Sequence, residues 1–292
     1  MKTLIVGCGY LGLRVARRLL DRGEEVLGTT RREARFAALR AAGIEPVRCD
    51  VAAPPDRLPA VDRVVHCVGN DRAAGVPMRV VYVDGLLNVV DRLIERPMRF
   101  VYASTTGVYA QSGGEWVDED AQAEPTSESG RVCLDAERAL LDASSRRGLS
   151  AVILRFSGLY GPGRIVRREA LARGEAIVGE PSRWLNLVQI DDAASAVVAA
   201  LDAADPRPLY TVSDDRPVPR VEYYRLVADL IGAPPPRFRP PAPGESTRRE
   251  DSDKRVSNRR IKAELSWNPT YPDIDAGVPA SLAAEASGPP IA

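Results

Sequence analysis

Short apolar runs separated by helical patterns organise the first half of the chain. Residues 3–7 read as a buried strand. Residues 11–22 follow with Leu11, Val15, Leu19 and Leu20 at helical spacing, and Gly23 stops them. The same reading predicts strands at 25–29, 45–48, 63–68, 99–103 and 151–156, and helices at 32–42, 79–95 and 131–147. The helix at 79–95 carries an apolar stripe of Val83, Leu86, Leu87, Val90 and Leu93. Strands alternating with helices of this length imply βαβ units and a parallel sheet covered on both faces. After residue 159 the character changes. Gly161-Pro162-Gly163 is a turn cluster, prolines crowd 234–236 and 240–243, and 248–260 is a charge-mixed, loop-like run. No internal repeat is visible. Residues 276–292, rich in Ala, Pro and Gly, predict a mobile tail.

Composition narrows the chemistry. The 292 residues carry no formal net charge, and the pI is near 6.7. That balance argues against a general nucleic-acid or acidic-membrane binder. No apolar run reaches the roughly 18 residues that span a bilayer, and the chain opens into a strand pattern rather than a signal peptide. Cys8, Cys49, Cys67 and Cys133 are scattered without a CxxC pair, which fits free thiols in a reducing cytoplasm. His66 is the single histidine, so a multi-histidine metal site is impossible and a Ser-His-Asp hydrolase would need this one base. Of 40 lysines and arginines only Lys2, Lys254 and Lys262 are lysines, leaving 37 arginines.

Gly7-Cys8-Gly9-Tyr10-Leu11-Gly12 fits G-x-G-x-x-G directly after the first strand and at the opening of an amphipathic helix. Gly7 permits the tight turn. Gly9 lets the backbone approach a pyrophosphate, and Gly12 lets helix and strand pack closely. The helix N-terminus offers N–H groups and a positive dipole end to phosphates. NAD binders usually place Asp or Glu after the second strand to hold the ribose 2′-OH. This chain has Thr30, Arg31 and Arg32 there. Guanidinium groups pair with a 2′-phosphate, so the spacing points to NADP ahead of NAD. The plainer alternative is that both arginines merely open the next helix. Asp50 is placed to accept from an adenine amino group, or is a surface loop residue.

Several later segments carry a resemblance. Residues 100–109 (FVYASTTGVY), 154–163 (LRFSGLYGPG) and 186–194 (NLVQIDDAA), with 209–215 and 265–269, resemble in order and spacing the NAD-dependent epimerase/dehydratase family. That family is the extended branch of the short-chain dehydrogenase/reductases, and the resemblance covers about residues 1–275. It implies an α/β fold: a Rossmann doubly wound parallel sheet with a small C-terminal substrate domain and the active site between them. The core would be 1–160 plus about 187–212, and the substrate domain about 161–186 and 213–275. Many members dimerise through two helices.

The family works with a Ser/Thr and a Y-x-x-x-K pair, often supported by an Asn. The lysine charge favours tyrosinate, so the phenol serves as general acid/base near neutral pH. Here the lysine count decides. Glu250 precedes Lys254 by four residues and Asn258 precedes Lys262, so no Y-x-x-x-K exists. The tyrosine place holds Ser129, the lysine place Cys133 and the Asn place Tyr82, and only the Ser/Thr survives, as Thr105. In this the chain is similar to an atypical bacterial subgroup that lacks the pair.

Substitutes can be named. Glu128 could serve as a desolvated acid/base, or Tyr82 or Tyr109 as a phenol, each with helix-start solvation or core packing as the plainer role. Ser127 and Ser129 are both candidate caps for the helix that should face the nicotinamide. His66 reads first as a packed strand residue, and Cys133 as a buried thiol rather than a nucleophile. Arg131, Arg164 and Trp184 could line a substrate pocket. Two functions stay open. One is an NADP-dependent oxidoreductase or epimerase-like enzyme acting on a small polar carbonyl or sugar-like substrate. The other is a non-catalytic NADP-binding sensor or interaction protein.

Overall fold

The computed structural model describes residues 1–242 and 252–287. Pro243, residues 248–251 of the charge-mixed run and the last five residues of the expected tail lie outside them. β1 (Lys2–Val6), β2 (Glu25–Thr30), β3 (Glu45–Arg48), β4 (Arg63–His66) and β5 (Arg99–Thr105) join strands Ala151–Phe156 and Leu209–Val212 in one sheet. From one edge the order is Leu209–Val212, Ala151–Phe156, β5, β4, β1, β2, β3, and every pairing is parallel. This is the doubly wound arrangement, with winding reversing between β1 and β4. Ligands bind at such a reversal, beyond the carboxyl ends of the strands.

The apolar runs of the strands serve both faces. Ile5, Val65, Val101 and Val152 pack under α1 (Tyr10–Leu20) and helix Ile190–Asp202. Leu4, Val6, Val64 and Phe100 pack on the other side, under α3 (Gly85–Arg92) and α4 (Glu128–Arg147). Between them in the chain, α2 (Phe36–Ala41) flanks β3. A third buried cluster gathers the C-terminal elements around Tyr160, Tyr223, Tyr224, Ile274 and Val278.

Three boundaries differ from the pattern in ways that matter. The helix expected at 32–42 begins as a 3₁₀ turn at Glu33–Arg35 with Arg32 as its extended cap residue, the Arg32 carbonyl accepting from Arg35 N–H at 3.0 Å, so Arg32 opens this turn as well as lying beside β2. The helix expected at 79–95 starts with a π turn, Val80–Asp84, and ends at Arg92, with Leu93 extended. π turns of this kind re-aim side chains inside a helix. The helix expected from 131 starts three residues earlier. Ser127 is its cap, its Oγ accepting from Gly130 N–H at 3.0 Å.

The expected mobile tail is corrected in part. Ile274–Ala286 is a helix with Ile274, Val278 and Ser281 buried. Its small residues serve close packing: a Cβ on Gly277 would lie 1.8 Å from the Tyr160 hydroxyl. Composition alone does not separate such a helix from a solvated tail.

Asp214, 1% exposed, lies under this helix region. Burial pushes its carboxyl well above the usual carboxylate range, the Asp215 and Asp273 carboxylates add to the shift, and the Arg216 N–H opposes it. A raised folded-state pKa gives a contribution that is complete below the unfolded value of about 4 and lost as pH climbs toward the folded value. Asp214→Asn is therefore expected to gain on the parent protein as pH rises from 4 to 8. Melting temperatures across that range check it, and a constant gap would contradict it.

Candidate functional site

At the reversal point the carboxyl ends of β1, β2, β4 and β5 open into a cleft of about 660 Å³. Its floor is the glycine turn. Gly7 has φ +91°, and a Cβ there would meet main-chain atoms of Val68 and Cys67 at 2.8–2.9 Å. Its N–H donates to Thr29 Oγ1 at 2.9 Å, tying the turn to β2. A Cβ on Gly12 would lie 2.5 Å from Gly7 O, so Gly12 is the packing glycine beneath the turn. A Cβ on Gly9 would meet nothing within 4 Å. That open side is what a pyrophosphate requires. α1 starts at Gly9 with no side-chain cap and no acidic residue in its first turn, leaving its first amides to a ligand. Tyr10 and Leu11 complete this wall.

Thr30, Arg31, Arg32 and Arg35 line one end of the cleft. Arg35 escaped the sequence reading although it lies one short turn beyond Arg32. Its Nη1 donates to Cys8 O at 3.1 Å. Arg31 and Arg32 both reach Asp71 Oδ2, at 2.9 and 3.4 Å. Asp50 is not in the wall; its Oδ1 accepts from Ala52 N–H at 3.0 Å, while its neighbours Cys49 and Val51 face the cleft.

The other end gathers Tyr82, Ser104, Thr105, Ser157 and Arg164. Tyr82 rides on the π turn, and its hydroxyl accepts from Asn70 N–H at 3.0 Å. Thr105 Oγ1 accepts from Gly107 N–H at 3.0 Å, which leaves the hydroxyl proton to a ligand. Ser157, 5% exposed, has a hydroxyl with no partner among the described residues. Arg164 stands 5.5 Å from the Tyr10 ring, which Arg14 covers from 4.3 Å, so the C-terminal part approaches the glycine turn here.

Several expected candidates are elsewhere. Glu128 is exposed on the first turn of α4, outside the cleft wall. Arg131 is also exposed and donates to Thr126 O at 2.7 Å. Ser129 meets Ser127 Oγ at 3.3 Å as part of the cap. Cys133 is buried with Val108, Leu134 and Val256, and burial pushes its thiol up to about 11, which makes it inert at neutral pH. Tyr109 is 3% exposed; its hydroxyl donates to Asp118 O at 2.6 Å and accepts from Arg155 at 2.8 Å. Burial raises it to about 12, so it is a packing group. Trp184 faces Arg255, whose guanidinium stands 5.1 Å from its ring and from that of Trp116. His66 is fully buried against Phe100 and Tyr102, and burial pushes it down to about 3, leaving no hydrolase base.

One buried carboxylate behind the cleft escaped the sequence reading. Ser104 donates to Glu137 of α4, and Glu137 holds Arg155 through Nε at 3.0 and 3.1 Å and Nη2 at 2.6 Å. Lys254, the buried lysine, donates to Tyr109 O at 3.0 Å and to Ser252 Oγ at 2.7 Å, and it lines no part of the cleft. Burial lowers its amine to about 8.

A doubly wound sheet with a glycine turn opening a bare helix N-terminus defines a dinucleotide-binding Rossmann protein. Residues 3–212 match the NAD dependent epimerase/dehydratase family, and the chain belongs to it. A nicotinamide dinucleotide is the cofactor that this cradle fits. The chain is similar to protein YeeZ of Escherichia coli K12, 30% identical over 280 residues covering 93% of this chain and 97% of that one. It is also similar to the 2-alkyl-3-oxoalkanoate reductase of Stenotrophomonas maltophilia, 28% identical over 256 residues, 80% and 77% of the two chains. A solved structure from Methylobacillus flagellatus is 33% identical with a TM-score of 0.73, covering 97% and 98%. Among the described residues no helix is long and apolar enough to cross a membrane, and no cluster of His, Cys, Asp and Glu could hold a metal ion.

Proposed function

We propose that this protein is an NADP-preferring oxidoreductase or epimerase-like enzyme acting on a small polar carbonyl or sugar-like substrate without the Tyr/Lys pair. The observation that carries the reading is a single cleft lined by Arg31, Arg32 and Arg35 at one end and by Thr105 and Tyr82 at the other. Three guanidinium groups and no cleft-wall carboxylate suit a 2′-phosphate. When bound, the cofactor supplies hydride exchange at its nicotinamide ring. Thr105 donates its hydroxyl proton to the reacting oxygen, stabilising charge that develops there. Of the two candidate phenols, Tyr82 lines the cleft and Tyr109 does not, and Tyr82 handles the proton in place of the absent pair. The cluster around Tyr160 and Tyr223 forms the substrate part, with Arg164 bridging it to the glycine turn.

Initial rates of NADPH and NADH oxidation over a panel of carbonyl compounds and nucleotide sugars test this. Turnover with NADPH ahead of NADH is expected. Arg31→Ala should lose that preference, and Thr105→Ala should lower the rate on the order of 100-fold. Tight NADPH binding with no turnover, unaffected by Thr105→Ala, supports the second reading, a cofactor-binding sensor. The exposure of Glu128 and the burial of Tyr109 favour that alternative by removing two proton-transfer candidates.

A further inference from the structure

The arginine end of the cleft carries a carboxylate from another part of the chain. Asp71 lies in the segment after β4, some 40 residues beyond Arg31. Its Oδ2 takes Arg31 at 2.9 Å and Arg32 at 3.4 Å, and its Oδ1 accepts from Ala73 N–H at 3.2 Å. Both arginines belong to the cleft wall, and Asp71 does not. The main chain on either side is held: Asn70 N–H donates to the Tyr82 hydroxyl at 3.0 Å, and Ala74 N–H to Asp71 O at 3.0 Å. The side chain can therefore turn away while its backbone stays.

We propose that Asp71 is a specificity-determining residue, an internal anion that occupies the Arg31–Arg32 pair until a cofactor 2′-phosphate displaces it. The inference rests on the NADP reading above. A phosphate monoester brings up to two negative charges and three acceptor oxygens where the carboxylate brings one charge and two oxygens. It wins the arginines, at the cost of an ion pair already made. A ribose 2′-hydroxyl has no charge with which to displace Asp71, so NADH leaves the pair intact. Asp71 thus narrows the gap between the two cofactors by holding back the tighter one. The pair is partly exposed, with side chains 38% (Arg31) and 33% (Asp71) accessible, so its effect belongs to the surface range.

Isothermal titration of the full chain with NADPH, NADH and adenosine 2′,5′-bisphosphate tests the proposal. Asp71→Asn is expected to tighten NADPH and the bisphosphate about fivefold, the factor that one surface-type ion pair accounts for. NADH should move less than about twofold by the same reasoning, since it breaks no pair. Asp71→Ser should behave as Asp71→Asn does, which separates loss of the charge from a local folding effect. Unchanged NADPH affinity in both variants, with the parent still preferring NADPH, would overturn the role of Asp71 and leave the NADP reading standing. Weaker NADH binding in the variants would also overturn it, by making Asp71 the acceptor for the ribose hydroxyl. A parent that binds NADH as well as NADPH, and an Arg31→Ala variant with the same ratio, would instead remove the NADP reading itself.

Discussion

Glu137→Ala is expected to destabilise the fold by about 3–5 kcal/mol, the usual consequence of stripping one partner from a buried ion pair. Glu137 and Arg155 are 2% and 5% exposed. The pair is bidentate, and its remaining polar atoms are used: Ser104 donates to Glu137, and Arg155 also reaches the Tyr109 hydroxyl at 2.8 Å. Without the carboxylate a guanidinium stays in the interior against a lone phenol. Equilibrium urea unfolding measures the loss. The double variant Glu137→Met with Arg155→Leu should recover most of it, because apolar replacements of similar volume carry no uncompensated charge. A single variant within about 1 kcal/mol of the parent would place the pair in the weakly coupled, solvated class instead.

That pair also shows where sequence reading stops. The α/β alternation and the glycine turn are legible because each rests on residues close in the chain. Gly7 to Gly12 and Thr30 to Arg32 carry their chemistry locally, and the structure brings both groups to one cleft. The reaction end is assembled from distant segments. Tyr109 looks like a cleft phenol until Arg155, 46 residues on, and Lys254, 145 residues on, engage its hydroxyl and its carbonyl. Glu128 and Glu137 stand in the same helix. Only the direction each takes from α4 decides which is solvated and which is buried against the sheet. Asp71 has no local feature marking it as a partner of Arg31. The lysine count was informative for the opposite reason: the absence of Y-x-x-x-K is a property of the chain itself and needs no tertiary contact.

Gly9→Val is expected to fold as the parent does and to bind neither NADPH nor NADH with useful affinity, a loss of about 100-fold for each. The three glycines of the turn differ in what surrounds them. At Gly7 and Gly12 an added carbon collides with main-chain atoms of the protein itself, at 2.8 and 2.5 Å, so substitution there disturbs the fold. At Gly9 the same carbon meets nothing within 4 Å, and the backbone sits at φ −106°, outside the left-handed region. Open space beside an uncapped helix N-terminus leaves room for a phosphate to reach its amides. A valine filling it holds the phosphates away from the first amides of α1. Hydrogen bonds to charged groups contribute about 1.5–3 kcal/mol each, so losing one or two accounts for that factor. Melting temperature and titration calorimetry on the same sample separate the outcomes. An unchanged melting temperature with both affinities lost assigns the space to the pyrophosphate. Retained affinity for both cofactors would mean that they approach the turn from another side, and would take the G-x-G-x-x-G reading with it.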